Sequence, residues 1–143
     1  MGADLVIDHT NDIEKQLASA GIQHIDMVLS TAKTGEHLVW IAKVLRPFGH
    51  LSVVDFSPSL DANALMLKSL SLHLEMVFSR ILHGSDVHRQ GNILETIAAL
   101  VVDGRIRPIT TTRLNGLNLE AMRAAHQLVE TTRTIGKVVI ATA

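Results

Sequence analysis

Short apolar runs alternate along this sequence with segments whose apolar residues recur every three or four positions. The apolar runs predict β-strands, because a strand buried on both faces reads as a continuous stretch of Val, Ile and Leu. Such strands are expected at residues 5–7, 25–30, 50–55, 108–114 and 137–141. Strict alternation over 70–78, with Leu, Met and Phe at the even positions, predicts a further strand covered on one face.

The segments of helical periodicity predict the helices that connect these strands. Helices are expected at 13–20, 35–45, 61–67, 86–103 and 118–130. Capping side chains are expected at Asn11 or Asp12, at Asp61 and at Asn118, and Gly104 stands where a left-handed residue ends a helix. On the 86–103 helix the apolar residues expected to face inward are Ile93, Leu94, Ile97, Leu100 and Val101.

Strand–helix–strand alternation predicts an α/β fold built from parallel β-α-β units. Crossovers between parallel strands are right-handed, so helices are expected on both faces of a doubly wound, mainly parallel sheet. The length of 143 residues suits one hydrophobic core, and we expect one domain spanning residues 1–143.

Composition excludes several classes of protein. Cysteine is absent, which excludes a disulfide framework and a thiolate metal site. The net charge is −1 and the Lys and Arg residues are scattered, so no nucleic-acid partner is expected. No apolar run is long enough for a bilayer, and residues 1–4 lack the features of a secretion signal. A cytoplasmic location without membrane partners is therefore expected.

The most promising chemistry lies at two predicted strand ends. The second strand runs into Ser30, Thr31 and Ala32, and the third runs into Asp55 and Phe56. Ligands of open parallel sheets bind beyond the carboxyl ends of the strands. The small and polar groups at these ends suit ribose hydroxyls, a carboxamide or a phosphate. At this stage an equally good interpretation is that these side chains only cap a helix and a turn.

A glycine-rich phosphate-binding turn is absent from the sequence, since neither G-x-G-x-x-G nor G-x-x-x-x-G-K-[ST] occurs. Either the protein does not bind a dinucleotide, or the part that binds pyrophosphate lies outside this chain. His83 with His88, and His73 with Glu75, lack the spacing of a zinc site. Lys68 could do acid–base work but is expected to be a solvated surface group. No catalytic and no metal-binding residue is assigned.

Several segments together resemble the C-terminal part of the medium-chain dehydrogenase/reductase superfamily, in its zinc-type alcohol dehydrogenase-like and quinone oxidoreductase-like branch. The opening GADLVIDH is similar to the family segment that forms the third strand of its nucleotide-binding domain. Further similar segments are LRPFG at 45–49, KSLSLHLEMVFSR at 68–80, HRQG at 88–91, DGRI at 103–106 and GKVV at 136–139. Glu130 to Arg133 depart from the family, whose members usually have a glycine in that turn.

The resemblance implies a partial Rossmann fold that serves hydride transfer. An NADP or NAD cofactor would pass hydride to a small carbonyl or quinone-like substrate in the full-length enzyme. Carried over by position, Ser30, Thr31 and Ala32 would lie near the adenosine side of the cofactor, and Asp55 and Phe56 near the nicotinamide. Phe78, Ser79 and Arg80 match the segment that closes over the nicotinamide or contacts a cofactor phosphate.

The resemblance also implies what precedes this chain. The first β-α-β unit with its glycine-rich turn, and a GroES-like domain with any zinc ligands, would lie before Met1. We therefore expect an isolated chain that is inactive or binds cofactor weakly, without zinc. The alternative is a standalone, non-catalytic α/β binding or oligomerisation module. In the family strand order 3-2-1-4-5-6, the strand at 25–30 becomes an open edge. We expect this defect to be repaired, either because strand 4–8 pairs elsewhere in the sheet or because copies associate through strand edges, including 70–79.

Overall fold

The computed structural model describes residues 2–57 and 59–142, which form two compact units. One unit consists of residues 3–87, and the other contains residues 88–142. That residues 1–143 form one domain, as expected from the sequence, stays a prediction, since the division into two compact units does not test it. The parallel α/β architecture expected from the sequence is confirmed, because every strand pair in either unit is parallel and helices connect the strands.

The first unit is a three-stranded parallel sheet with the order β1-β2-β3. Its elements are α1 (Ile13–Ser19), β1 (Ile25–Ser30), α2 (Thr34–Val44), β2 (Leu45–Val53), α3 (Asn63–Met66), β3 (Ser71–Leu74) and α4 (Ser79–Leu82). Helix α2 packs on β1 and β2, between which it is the crossover. The strand at 25–30 and the helix predicted at 35–45 are thereby confirmed.

The second unit pairs two parallel strands. Its elements are α5 (Arg89–Val102), β4 (Thr110–Asn115), α6 (Leu119–Glu130) and β5 (Lys137–Ala141). The Asn118 side chain accepts a hydrogen bond from the backbone N–H of Ala121 at 2.9 Å, which confirms the predicted cap of α6. Gly104 has φ of 70°, the left-handed conformation expected after α5.

The core of the first unit lies between α2 and one face of the sheet. Leu51 and Val53 of β2 and Leu38 and Ile41 of α2 are each at most 3% exposed. Burial of such side chains contributes about 1.5–3 kcal/mol each. His50 and Ser52 alternate with the buried leucine and valine, so they lie on the opposite face of the sheet and are half-buried.

Two predicted strands are wrong or too long. Residues 5–7 form no strand, because no neighbouring strand pairs with them, and Val6 is 83% exposed. The strand predicted over 70–78 ends at Leu74, followed by a turn and α4. Its partner β2 ends at Val53, so the last sheet-type hydrogen bond is from Glu75 N–H to the Val53 carbonyl, at 2.9 Å. The alternating pattern beyond Leu74 therefore has no strand to pair with.

The LRPFG segment at 45–49, whose proline and glycine are typical of turns, lies inside β2. Ile25 pairs with Leu45 and Met27 pairs with His50, so β2 contains extra residues opposite β1. Phe48 takes a φ of 61° within this bulge, and its N–H donates to the Lys68 carbonyl at 2.8 Å. A bulge lets the turn residues be accommodated without ending the strand.

The predicted inward face of α5 is wrong for three of its five residues, whereas Leu100 and Val101 are half-buried. Ile93, Leu94 and Ile97 are 44%, 66% and 43% exposed, and none of the described residues of α5 is buried. Within its unit the two-stranded sheet packs with α6 instead of α5.

Among the helices of residues 2–57 and 59–142, none is long and apolar enough to cross a membrane.

Candidate functional site

The carboxyl ends of the three parallel strands of the first unit lie at one edge of its sheet. Backbone hydrogen bonds continue the strand pairing just past these ends. Val54 N–H donates to the Ser30 carbonyl at 3.1 Å, and Glu75 N–H donates to the Val53 carbonyl at 2.9 Å. The segments after β1, β2 and β3 therefore leave the sheet side by side, which is where open parallel sheets bind ligands.

Three polar side chains meet at the ends of β1 and β2. The hydroxyl of Ser30 lies 2.7 Å from the hydroxyl of Thr34, and the Thr34 hydroxyl donates to a carboxylate oxygen of Asp55. The backbone N–H of Thr34 donates to the other Asp55 oxygen at 3.0 Å. We call these residues the Ser30–Thr34–Asp55 cluster. Thr34 is fully buried and Ser30 is 7% exposed, so the hydrogen bonds are needed to satisfy their hydroxyls.

Asp55 caps helix α2 from another segment of the chain. Lys33 precedes the helix in a left-handed conformation and makes no capping bond with its own side chain. The hydroxyl and then the N–H of Thr34 hold the pKa of the Asp55 carboxyl below its ordinary value of 3.8. The ionised carboxylate complements the positive end of the helix dipole. A second anion, such as a phosphate, is therefore disfavoured at this helix terminus, whereas neutral hydroxyls and amides are not.

The residues beside this cluster are exposed. Thr31 and Ala32 face solvent after β1, and Phe56 is 93% exposed after β2. The loop that carries Phe56 lies close to the first turn of α2. A Cβ atom added to Gly35 would come within 2.7 Å of the Ser57 hydroxyl oxygen. The absence of a side chain at Gly35 thus allows the two segments to approach each other.

The third predicted segment lies in α4 after β3. Phe78 is the capping residue of this helix and is 56% exposed, and Ser79 is half-buried. The Arg80 guanidinium forms an ion pair with Asp86 at 2.8 Å. In the part of the chain that the structure describes, no hydrogen bond joins residues 78–80 to the Ser30–Thr34–Asp55 cluster. The role of this segment against a cofactor stays a prediction.

Sequence reasoning missed Thr34 and misjudged Lys68. Thr34 carried a usable signal, since it is a hydroxyl residue at the start of a helix that follows a strand end by three residues. The Lys68 ammonium donates to the carbonyls of Lys43 and Leu45, at 2.5 and 2.7 Å. Lys68 therefore stabilises the carboxyl end of α2 and is not the freely solvated group that was expected.

The described residues do not fit a zinc site of three or more protein ligands. Within 2–57 and 59–142, no group of three His, Cys, Asp or Glu side chains could hold a metal ion. The sequence contains no cysteine.

These strand ends and parallel connections define the C-terminal part of a Rossmann-like α/β fold. Residues 1–140 match the family model described as zinc-binding dehydrogenase, and the chain belongs to this family. The resemblance to the zinc-type alcohol dehydrogenase-like proteins is thereby confirmed.

Individual relatives agree with this assignment. The chain is 35% identical over 142 residues to a zinc-type alcohol dehydrogenase-like protein of Staphylococcus aureus (strain MSSA476). That match covers 98% of this chain and 42% of that protein. A crystal structure from Rhizobium etli CFN 42, named as a zinc-dependent alcohol dehydrogenase protein, is 35% identical with a TM-score of 0.86. The match covers 97% of this chain and 41% of that one.

A more distant structure shares the fold. The structure of CurA in complex with NADPH from Vibrio vulnificus has a TM-score of 0.69 at 19% identity, over 99% of this chain and 44% of that one. The chain thus spans less than half the length of the relatives that it matches.

Proposed function

We propose that this chain forms part of the cofactor cleft of an oxidoreductase that reduces a carbonyl or an activated alkene with NADPH or NADH. The observation that carries the proposal is the Ser30–Thr34–Asp55 cluster, which fixes two strand ends next to exposed Thr31, Ala32 and Phe56. Membership of a dehydrogenase family and the NADPH bound to CurA support it. A quinone-like substrate is the narrower form of the same proposal.

The residues of this chain would bind and orient the cofactor without reacting themselves. A bound dihydronicotinamide supplies the hydride, and the reduced product takes up a proton from solvent. The Phe56 ring and the backbone after β2 would contact the nicotinamide, and Thr31 and Ala32 would lie toward the adenosine ribose. Because Asp55 already occupies the amino end of α2, the pyrophosphate is expected elsewhere.

Binding by this chain alone is expected to be weak. The glycine-rich turn that holds pyrophosphate is not in the sequence, so much of the energy that positions a dinucleotide is missing. Phe78 and Ser79 would add contacts to the cofactor, and Arg80 would add one if its ion pair with Asp86 opens or accepts a phosphate as a further partner.

Backbone amide NMR tests this proposal with the two halves of the cofactor as separate probes. Nicotinamide mononucleotide is expected to shift the amides of residues 55–57, and AMP those of residues 30–32. Phe56→Ala should weaken the first response. Leu67→Ala, which truncates an equally exposed apolar side chain at the other end of the sheet, should leave it unchanged.

Two results would contradict the proposal. One is the absence of shifts at both strand ends at millimolar probe, and the other is shifts confined to other parts of the chain. Sub-micromolar binding of NADPH would support a cofactor site but overturn the weak binding expected of this chain alone.

The second candidate is a non-catalytic binding or oligomerisation module. Met27 and Leu29 of β1 favour it, since they are 72% and 64% exposed on a strand that pairs only with β2 among the described residues. Association without any nucleotide response in the NMR experiment would favour this function over the first.

A further inference from the structure

Two histidines meet across neighbouring strands, away from the strand ends described above. His50 lies on β2 and His73 on β3, and the ring nitrogens Nδ1 of His50 and Nε2 of His73 are 3.1 Å apart. The ring centroids are 5.4 Å apart, with 32° between the ring planes. The strand register places His50 opposite Ser71 and His73 opposite Ser52, so the histidines are diagonal neighbours.

Both rings lie on the face of the sheet that is opposite the core. Leu51 and Val53 are buried against α2, and side chains alternate along a strand, so His50 and Ser52 face the other way. Leu72 packs against the same core, which places His73 on the face shared with His50. His73 is exposed and His50 is half-buried. An ion from solvent can therefore reach this pair.

The separation of the two nitrogens equals the bite of a metal chelate. Imidazole nitrogens bind Zn²⁺ at about 2.0–2.1 Å, so two nitrogens 3.1 Å apart subtend about 100° at a shared ion. That angle lies between the octahedral and the tetrahedral value. The register of the two strands places the rings side by side before any ion binds, which lowers the entropy cost of chelation, and each ring turns so that its lone pair points at the ion.

We propose that His50 and His73 form a two-histidine site for a divalent transition-metal ion that prefers imidazole, with Cu²⁺ bound more tightly than Zn²⁺. The order follows the general affinity series of these ions for nitrogen ligands. Water completes the coordination, and the hydroxyl residues Ser52 and Ser71 occupy the flanking register positions on the same face. Each ring binds the ion through the nitrogen that faces its partner and keeps its N–H on the other ring nitrogen.

This site is separate from both the proposed cofactor cleft and any zinc that the family name implies. It consists of two protein ligands in the middle of the sheet, whereas the Ser30–Thr34–Asp55 cluster lies past the strand ends. It is also consistent with the absence of three-ligand groups among the described residues. The proposal does not depend on the proposed oxidoreductase function.

Electron paramagnetic resonance of Cu²⁺ added to the full chain at equimolar concentration tests the proposal. The wild-type spectrum should contain couplings from two imidazole nitrogens. His50→Gln and His73→Gln should each weaken Cu²⁺ binding by roughly 100-fold, because removing one arm loses the effective concentration of the chelate. His126→Gln, which changes an exposed histidine of the other unit, controls for the remaining histidines.

The outcomes separate the site from adventitious binding. Circular dichroism of each variant checks that the fold is retained, and the exposed position of His73 favours this. Equal Cu²⁺ affinity in wild type and in the double variant His50→Gln/His73→Gln would overturn the proposal. A wild-type spectrum with fewer than two imidazole nitrogens would overturn it as well.

Discussion

The carboxylate of Asp55 at the end of β2 binds the N–H and the hydroxyl of Thr34 at the first turn of α2. This contact joins residues that are 21 positions apart in sequence, and it ties the end of one strand to the helix that leads into it. It therefore fixes the geometry of the two strand ends at which the cofactor is proposed to bind, and it contributes to the stability of the first unit.

The ionisation of Asp55 predicts a pH dependence. Hydrogen bonds from Thr34 lower the native pKa of Asp55 below 3.8, the ordinary value that the unfolded chain retains. The stabilisation is therefore fully present above that value and is lost as the pH falls through the native pKa. Asp55→Asn keeps one acceptor oxygen but loses the charge. The free energy of unfolding in urea should be lower for Asp55→Asn near neutral pH, and the gap from wild type should close in acid.

A matched variant distinguishes this effect from general acid denaturation. Asp4→Asn changes an exposed aspartate outside the helices and strands, so its difference from wild type should stay small at every pH. A gap for Asp55→Asn that persists unchanged to the lowest pH would contradict the assigned role of the charge.

Loss of the Thr34 hydroxyl should destabilise the fold at neutral pH. Thr34→Val has nearly the same shape but leaves the buried Ser30 hydroxyl and the Asp55 carboxylate without this partner. The free energy of unfolding should fall by about 1–3 kcal/mol, the cost of a buried polar group left unsatisfied. Denaturant unfolding measures it. Thr96→Val on the exposed face of α5 should change the value by less than about 0.5 kcal/mol. Equal effects of the two substitutions would refute this role of Thr34.

The elements that were predicted correctly are those whose local sequence pattern agrees with the contacts that they make in the folded chain. Strand 25–30, helix α2 and the Asn118 cap of α6 were all predicted, because periodicity and capping residues mark them directly. The strand predictions for residues 5–7 and 75–78 were wrong, because an apolar run becomes a strand only when another strand pairs with it. That information lies in the partner and not in the run itself.

The candidate site was predicted in part. Ser30 and Asp55 could be selected because strand ends of parallel sheets are identifiable from the order of elements. Their link through Thr34 could not, since it depends on how close the loop at 55–57 comes to the first turn of α2. The His50–His73 pair was missed for a similar reason, because a cross-strand contact depends on the register.

The glycine of the LRPFG segment is expected to be intolerant of a side chain. A Cβ on Gly49 would lie 2.9 Å from the Arg46 carbonyl oxygen and 3.0 Å from the Asp26 carbonyl oxygen. Backbone atoms cannot rotate away, so Gly49→Ala should separate β1 from the bulge in β2. Thermal and urea unfolding should give a loss of about 1–3 kcal/mol, typical of overpacking.

Gly91 provides the matched comparison for this substitution. A Cβ there would have no neighbour within 4 Å, and the residue lies in α5. Gly91→Ala should therefore raise the free energy of unfolding by up to about 1 kcal/mol through helix propensity. Opposite signs for the two glycines are expected, and a destabilisation of the same size at both would argue against the close approach at Gly49.

The open edge of β1 predicts association of this chain at high concentration. β1 pairs only with β2 among the described residues, and residues 5–7 do not cover its other side. Met27 and Leu29 on this strand are exposed, and unpaired edges with apolar side chains attract further strands. Sedimentation equilibrium should therefore give a mass that rises with concentration. The variant Met27→Lys/Leu29→Lys should reduce this rise, because charge on an edge strand opposes pairing. Val39→Lys, at a similarly exposed apolar position on α2, should leave it unchanged. A monomer at all concentrations, or equal loss of association in both variants, would exclude β1 as the associating edge.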